Sequence, residues 1–99
     1  MPYPIEYSPD ALDHLRALTA RQRALVLDSV DEQLSGEPTV RTRNRKPLRP
    51  NVLATWELRI GNLRVYYDTI EEDPPVFCVR AIGVKDRNRI LVGGKEIAL

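Results

Sequence analysis

Residues 56–68 read WELRIGNLRVYYD, and this stretch decides the fold of the chain. On both sides of Gly61-Asn62, apolar and polar residues alternate with a period of two, which is typical of strands that bury one face. Gly61-Asn62 itself is a two-residue turn signal. The stretch therefore predicts a β-hairpin, with Trp56, Leu58 and Tyr67 among the side chains on its core face.

A third strand is predicted after this hairpin. Residues 71–75, EEDPP, form a turn, because proline donates no hydrogen bond to a strand ladder. Residues 76–82, VFCVRAI, are nearly all apolar, which favours a central place in the sheet, and Gly83 marks the predicted end of the strand. Within it, Cys78 is expected to be a small buried hydrophobe. No element is assigned to the tail from residue 84 to residue 99.

The N-terminal third predicts a short edge strand followed by two helices. The strand is the apolar run of residues 5–7 between two prolines. Ser8-Pro9-Asp10 is typical of a helix start, and Thr19 with Gln22 matches a capping box that begins a second helix. The predicted apolar faces comprise Ala11, Leu15 and Leu18, with Leu12 beside them, in the first helix, and Ala24, Leu27, Val30 and Leu34 in the second.

The composition is that of one globular domain covering residues 1–99. Hydrophobic residues make up 42% of the chain and charged residues 29%, a balance that a folded core requires. A single cysteine excludes an intrachain disulfide, and no Cys/His spacing indicates a metal or cofactor site. Without an apolar run of membrane-spanning length, a cytoplasmic protein is expected. The predicted class is α+β, an N-terminal strand and helical hairpin packed on an antiparallel sheet in the order β-α-α-β-β-β.

Basic residues are grouped in three places, although the net charge is only +1. The segment 39–50, expected to be a loop or arm, contains Arg41, Arg43, Arg45, Lys46 and Arg49 and no acid. A second group is formed by Arg59 and Arg64, near cross-strand neighbours on the predicted hairpin. The third comprises Arg80, Lys85, Arg87 and Arg89. Because like charges repel unless an anion lies between them, and because arginine donors suit phosphate, these groups predict a polyanion-binding surface.

A simpler interpretation of these charges stays open. Charged residues are ordinary on the solvent face of an antiparallel sheet, where Glu57 and Asp68 would pair with the arginines, and the basic segment would be a solvated loop. Tyr66 shares the Arg64 face and is expected to be exposed; it either stacks on a base or hydrogen-bonds a phosphate, or it serves only as a strand former. The single histidine, His14, is expected to be a surface side chain and not a general base.

The run WELRIGNLRVYYD…VFCVRAIGVKDRNRI resembles the RelE/ParE superfamily of bacterial type II toxins. The resemblance covers nearly the whole chain: an early strand, a helical hairpin, a basic loop ending in the Lys-Pro-Leu-Arg stretch of residues 46–49, the hairpin, and a last strand that closes on Ile-Gly. It implies a small toxin that a cognate antitoxin neutralises. Toxins of this superfamily are ribosome-dependent mRNA endonucleases of the RelE kind or DNA-gyrase inhibitors of the ParE kind.

Carried over to this sequence, the resemblance implies a role for individual residues. Arg64 falls on the hairpin arginine that RelE-type toxins use at the scissile phosphate, and Arg59 on a preceding basic position. Lys85 or Arg87 falls on the basic residue after the last strand. Metal-free RNA cleavage is consistent with this set, because the substrate's 2′-hydroxyl supplies the nucleophile. The predicted catalytic residues are Arg64, Arg59, Lys85 and Tyr66, and the predicted nucleic-acid contacts are Arg41, Arg43, Arg45, Lys46, Arg49 and Arg87.

Two positions depart from the RelE pattern. Glu57 stands where a RelE-type enzyme would have a lysine, and Leu91 stands near the place of its C-terminal tyrosine. These departures favour the alternatives, a non-catalytic ParE-like gyrase inhibitor or an activity-depleted relative that is retained for antitoxin binding. In every case the resemblance implies an antitoxin partner, whose helix or strand would bring acids to the basic surface. The further partner is the ribosome with its mRNA, or DNA gyrase in the ParE alternative.

Overall fold

Two helices pack on one face of a mostly antiparallel sheet in the computed structural model, which describes residues 4–34, 44–49, 53–70, 72 and 76–97. The elements are β1 (Ile5–Tyr7), α1 (Pro9–Ala17), α2 (Ala20–Leu34), β2 (Arg45–Pro47), β3 (Trp56–Ile60), β4 (Leu63–Ile70), β5 (Val76–Asp86), β6 (Arg89–Val92) and β7 (Lys95–Ile97). The predicted α+β class, with a helical hairpin on an antiparallel sheet, is confirmed. Among the residues described, no helix is long and apolar enough to span a membrane.

The sheet runs in the order β2-β3-β4-β5-β6-β7, and β1 pairs in parallel with β5. The predicted hairpin is confirmed, because β3 and β4 pair from Trp56–Tyr67 to Ile60–Leu63. The central place of β5 is also confirmed. One edge of β5 pairs with β4, whereas the other edge is shared: residues 77–79 pair with β1 and residues 83–86 pair with β6.

The predicted end of β5 at Gly83 is wrong, since the strand continues to Asp86. A Cβ atom at Gly83 would lie 3.1 Å from Cε2 of Tyr66 and 3.1 Å from Cγ2 of Val92. Glycine therefore lets an aromatic ring pack across the strand and does not terminate it. The unassigned tail forms β6 and β7, which extend the sheet as two further hairpins. Part of the predicted basic loop forms β2, whereas its residues 39–43 and 50 and most of the turn 71–75 lie outside the described residues.

Both predicted helix starts are confirmed. The Ser8 hydroxyl accepts a hydrogen bond from the Ala11 amide at 3.1 Å. In the capping box, the backbone N–H of Gln22 donates to the Thr19 hydroxyl at 3.1 Å, and the backbone N–H of Thr19 donates to Oε1 of the Gln22 side chain at 3.0 Å. In each helix a side-chain oxygen thus satisfies one of the first-turn amides that have no intrahelical acceptor.

The buried faces of the helices agree with the prediction only in part. In α1, Ala11 and Leu15 are buried as expected, and Leu18 is partly buried. In α2 the predicted face is wrong at Leu27, which is 37% exposed, and at Ala24, which is exposed; the buried face contains Val26, Ser29 and Val30. The Leu34 side chain lies outside the described residues.

Each face of the sheet carries its own apolar cluster. The helix-side core contains Leu58, Val65 and Phe77 together with Tyr67, whose ring centroid lies 4.4 Å from that of Phe77. Trp56 stacks on Tyr67 at its margin, and the core placement predicted for both is confirmed. A smaller cluster on the opposite face, here called the second cluster, contains Tyr66, Ala81 and Val92, with Leu48, Leu53, Ala54, Ile90 and Ile97 packed against it. Because side chains alternate along a strand, Glu57, Arg59 and Arg64 share this second face.

Candidate anion-binding groove

A groove of about 990 Å³ opens on the second face, beside the second cluster. Both edge strands, β2 and β7, contribute to its walls, so the sheet curves around it. Its cationic lining residues are Lys46, Arg49, Arg59, Arg64, Lys85 and Arg89, and its acidic ones are Glu57 and Glu96. The excess of positive charge in a concave surface favours an anionic ligand.

Arg64 lies in the wall of this groove and is only 6% exposed. Its Nη1 donates to the carbonyl oxygens of Gly61 at 2.8 Å and Leu63 at 2.9 Å. No carboxylate among the described residues lies within salt-bridge distance of its guanidinium. None of the side-chain nitrogens of Arg64 is both buried and without a hydrogen-bond partner in the described chain. Its nitrogens without an acceptor therefore reach the solvent of the groove.

Arg59 is the direct cross-strand partner of Arg64, and it lines the same groove. Its Nε donates to Oε1 of Glu57 at 2.7 Å. The two members of this ion pair differ in burial, since the Arg59 side chain is 45% exposed and that of Glu57 is 7% exposed. The alternative that Glu57 pairs with a hairpin arginine is thus confirmed for Arg59, although the carboxylate is buried rather than solvated.

The two facing arginines are held apart by acceptors within their own hairpin. Side chains directly opposite each other on paired strands have Cβ atoms only about 5 Å apart. Arg59 is bonded to a carboxylate two residues before it, and Arg64 to carbonyl groups in and beside the turn. Both guanidinium groups remain on one face and at one groove, so an anion placed between them would contact both.

Tyr66 lies behind the charged residues and has no exposed surface. Its ring belongs to the second cluster, so the expectation of an exposed tyrosine that stacks on a base is wrong. Its hydroxyl is a buried polar atom without a hydrogen-bond partner among the described residues. Burial, with the charge of the neighbouring Glu57, raises the pKa of Tyr66 above its usual value. The sequence alternation placed Tyr66 on the correct face but gave no sign of the strands that cover it.

The other predicted contact residues are distributed unequally. Lys46, Arg49 and Lys85 line the groove, whereas Arg45 donates to the Gln33 carbonyl of α2 at 3.0 Å and does not line it. Arg87 lies at the exposed β5–β6 turn with a φ of 57° and lines a separate small depression. Arg41 and Arg43 lie outside the described residues. Arg89, which belongs to the third basic group but not to the residues that the family resemblance implied, lines the groove and forms an exposed ion pair with Asp86 at 3.0 Å.

Two other residues have structural contacts that sequence reasoning missed. His14 is partly buried, and its Nδ1 accepts a hydrogen bond from the Ile82 amide at 3.2 Å, so the expectation of a surface side chain is wrong. This hydrogen bond gives the Ile82 amide a partner in the part of β5 that lies between the residues paired with β1 and those paired with β6. Asp68 pairs with Arg80 at 3.0 Å rather than with Arg59 or Arg64, and it accepts from the Thr55 amide at 2.7 Å. Within the described ranges, no cluster of three His, Cys, Asp or Glu side chains could hold a metal ion.

Comparison with known proteins shows similarity to a solved structure of a toxin-antitoxin complex. No family model and no curated protein sequence matches the chain. A chain of the crystal structure of the toxin-antitoxin complex RelBE2 from Mycobacterium tuberculosis superposes with a TM-score of 0.72 and 27% sequence identity. The match covers 86% of this chain and 100% of that one. The two helices on an antiparallel sheet, described above, are thus the fold of a RelE-like toxin.

Proposed function

We propose that the protein is the toxin of a type II toxin–antitoxin pair and that it cleaves mRNA on the ribosome in the groove of the second face. Its similarity to a chain of the RelBE2 toxin–antitoxin complex supports the first part. The chemistry of the groove supports the second part, since a polyanionic substrate would meet six cationic side chains there. The protein would act in the cytoplasm, where ribosomes and mRNA are found.

The proposal depends mainly on the burial of Arg64 without a carboxylate partner in the described chain. A buried guanidinium without a carboxylate partner is costly, because backbone carbonyl groups compensate only part of its lost hydration. A phosphate in the groove would supply the missing negative charge and accept the donors that remain. The free protein therefore has, at one buried position, the geometry of an incomplete ion pair that a nucleic-acid phosphate completes.

The proposed reaction uses the RNA itself as the source of the nucleophile. The 2′-hydroxyl gives up its proton to water as its oxygen attacks the adjacent phosphorus, the P–O5′ bond breaks, and the 5′-oxygen takes a proton from water and leaves as a hydroxyl, so that a 2′,3′-cyclic phosphate remains. Negative charge develops on the non-bridging oxygens of the phosphorane during this step. Arg64 would donate to these oxygens, and Lys85, an exposed groove residue without an ion pair in the described chain, would assist it. Donors of this kind stabilise the transition state more than the ground state because they are fixed before the charge appears.

The test is Arg64→Ala, compared with Arg16→Ala as the matched control. Arg16 is an arginine on α1 whose ion pair with Asp13 is highly exposed, and it does not line the groove. Loss of one preorganised donor lowers a rate by about 10²–10³-fold, so Arg64→Ala should abolish growth inhibition and ribosome-dependent mRNA cleavage. Arg16→Ala should retain both. A folded Arg64→Ala variant that cleaves mRNA at the wild-type rate would refute the role of Arg64.

A second candidate function, inhibition of DNA gyrase without catalysis, is favoured by a specific observation. Two groups at the groove that could transfer a proton are not available, since Glu57 is engaged by Arg59 and the Tyr66 hydroxyl is buried, and Leu91 stands near the place of the tyrosine of the RelE pattern. A supercoiling assay with purified gyrase, run beside the mRNA-cleavage assay, separates the two functions. Inhibition of supercoiling without mRNA cleavage would establish the second candidate.

The proposed partner is an antitoxin with an acidic segment that covers the groove. Its carboxylates would take the place of substrate phosphates beside Arg64 and Lys85, while apolar side chains pack on Leu48 and Ile97 at the walls. Co-expression with the small protein encoded next to this one should yield a stable complex and restore growth. A complex whose affinity is unchanged by Arg64→Ala would place the antitoxin elsewhere.

A further inference from the structure

We infer that the Arg59–Glu57 ion pair acts as a latch: it restrains Arg59 in the free protein, and the Tyr66 hydroxyl replaces Arg59 as the partner of Glu57 when an anion draws Arg59 into the groove. Arg59 is then an anion-binding residue whose availability depends on Glu57, and Tyr66 is a positioning residue. The inference deepens the proposed function, because it rests on the groove binding an anion. It does not depend on which reaction follows.

One donor of Arg59 is already occupied in the free protein. Its Nε is bonded to Glu57 at 2.7 Å, so only its two Nη groups can contact a ligand until this ion pair breaks. The side chain is nevertheless 45% exposed, which leaves it room to rotate toward the solvent of the groove. An anion that bridges the two facing arginines would remove the repulsion between them, whereas an anion that contacts only one of them would not.

Departure of Arg59 would leave the Glu57 carboxylate buried without a counter-charge. Such a group is unfavourable unless another donor takes over. Tyr66 is the direct cross-strand partner of Glu57, and its hydroxyl is buried with no acceptor in the described chain. Both the charge of Glu57 and a side-chain hydrogen bond to it contribute to the raised pKa of Tyr66, so the hydroxyl already lies beside this carboxylate, although their contact does not have ordinary hydrogen-bond geometry. The hydroxyl is therefore in position to form a full hydrogen bond with Glu57 once Arg59 leaves.

The experiment measures the affinity of a fluorescein-labelled oligouridine by anisotropy at fixed ionic strength. Glu57→Gln releases Arg59 and should tighten binding about twofold to fivefold, the range expected from removing one competing ion pair of partial exposure. Glu96→Gln is the matched control, because Glu96 also lines the groove but forms no ion pair in the described chain. It removes the same charge from the groove without breaking an ion pair, so the part of the Glu57→Gln effect that exceeds the Glu96→Gln effect measures the release of Arg59.

Tyr66→Phe tests the second half of the inference. A hydrogen bond to a charged group that forms only in the complex should make binding about tenfold weaker when it is removed. In the Glu57→Gln background the same change should alter binding by less than about twofold, since no buried charge remains to be satisfied. A purely structural role of the ring would weaken binding equally in both backgrounds, and that result would overturn the inference. Arg59→Ala should reduce the salt slope of log K by about 0.7, as expected for one lost contact to a single strand.

Failure of this inference can be distinguished from failure of the proposed function. Wild-type binding that Arg64→Ala weakens, together with equal effects of Glu57→Gln and Glu96→Gln, would retain the groove and refute the latch. Oligouridine binding that is insensitive to Arg64, Arg59 and Lys85 would refute the groove itself. If Glu57→Gln does not fold, the side-chain ¹⁵Nε resonance of Arg59 in the wild-type protein gives the same answer. It should shift when oligouridine is added, and an unshifted signal at saturation would refute the latch.

Discussion

Replacing Tyr66 with phenylalanine is expected to stabilise the free protein, although it removes a polar group from a fully buried tyrosine. The ring keeps its packing against Ala81, Val92 and Gly83, so the apolar area buried by the side chain is unchanged. What disappears is a hydroxyl without a partner in the described chain, and such a group destabilises a folded protein by about 1–3 kcal/mol. The nearby Glu57 charge offsets part of this penalty, so the expected gain is about 1 kcal/mol.

For a chain of 99 residues, a gain of this size corresponds to an increase in Tm of about 4–8 °C. Differential scanning calorimetry of wild type and variant measures it directly. Tyr67→Phe is the matched control, because Tyr67 is the next residue and equally buried, but its hydroxyl is not among the unpaired buried atoms. It should give no stabilisation. A Tyr66→Phe variant with a lower Tm than wild type would mean that the hydroxyl already has a partner in the free protein, and the reserve role assigned to it would then be wrong.

Three further predictions concern the framework around the groove. His14→Ala should destabilise the protein by about 1–3 kcal/mol in urea unfolding, because the Ile82 amide loses its acceptor in the gap beside β5; an unchanged midpoint would show that water replaces the imidazole. Gly83→Ala should cost about 1–3 kcal/mol in the same assay and also weaken oligouridine binding, because the added methyl group displaces the Tyr66 ring. At alkaline pH, burial of Tyr7 and the neighbouring Asp31 raise the pKa of Tyr7 to about 12, whereas the unfolded chain titrates near 10. The folded state therefore holds this proton more tightly, so this contribution to stability is complete below pH 10 and is lost as the pH rises toward 12; a urea midpoint that is constant across this range would contradict the burial of Tyr7.

The features that could be predicted from the sequence depend on residues close together in the chain. The turn at Gly61-Asn62, the cap at Ser8 and the capping box from Thr19 to Gln22 each involve no more than four residues, and all are confirmed. Alternation likewise placed Arg59 and Arg64 on one face, because the period of a strand is two and the turn fixes the register.

The features that could not be predicted depend on contacts between distant segments. The prediction treated the second face as solvated, as in an antiparallel sheet with a single core. Instead, Leu48 before the hairpin and Ile97 in β7 pack against the second cluster, and they make this face a second core with a groove beside it. Likewise, the role of His14 depends on the gap between β1 and β6, and no local pattern indicates such a gap.

The interaction energies of Arg59 and Arg64 with acceptors inside and outside the protein determine what kind of ligand the groove can select. An ion pair such as Arg59–Glu57, with one exposed member, contributes about 1 kcal/mol at most before the burial of the carboxylate is considered. A hydrogen bond between a charged donor and a phosphate contributes about 1.5–3 kcal/mol. Contact with Arg59 alone would therefore gain little after the internal pair is broken, whereas a phosphate that bridges Arg59 and Arg64 also removes the repulsion between them. The hairpin should thus discriminate against isolated monoanions and favour a ligand whose charge can occupy the space between the two strands, as a nucleic-acid backbone does.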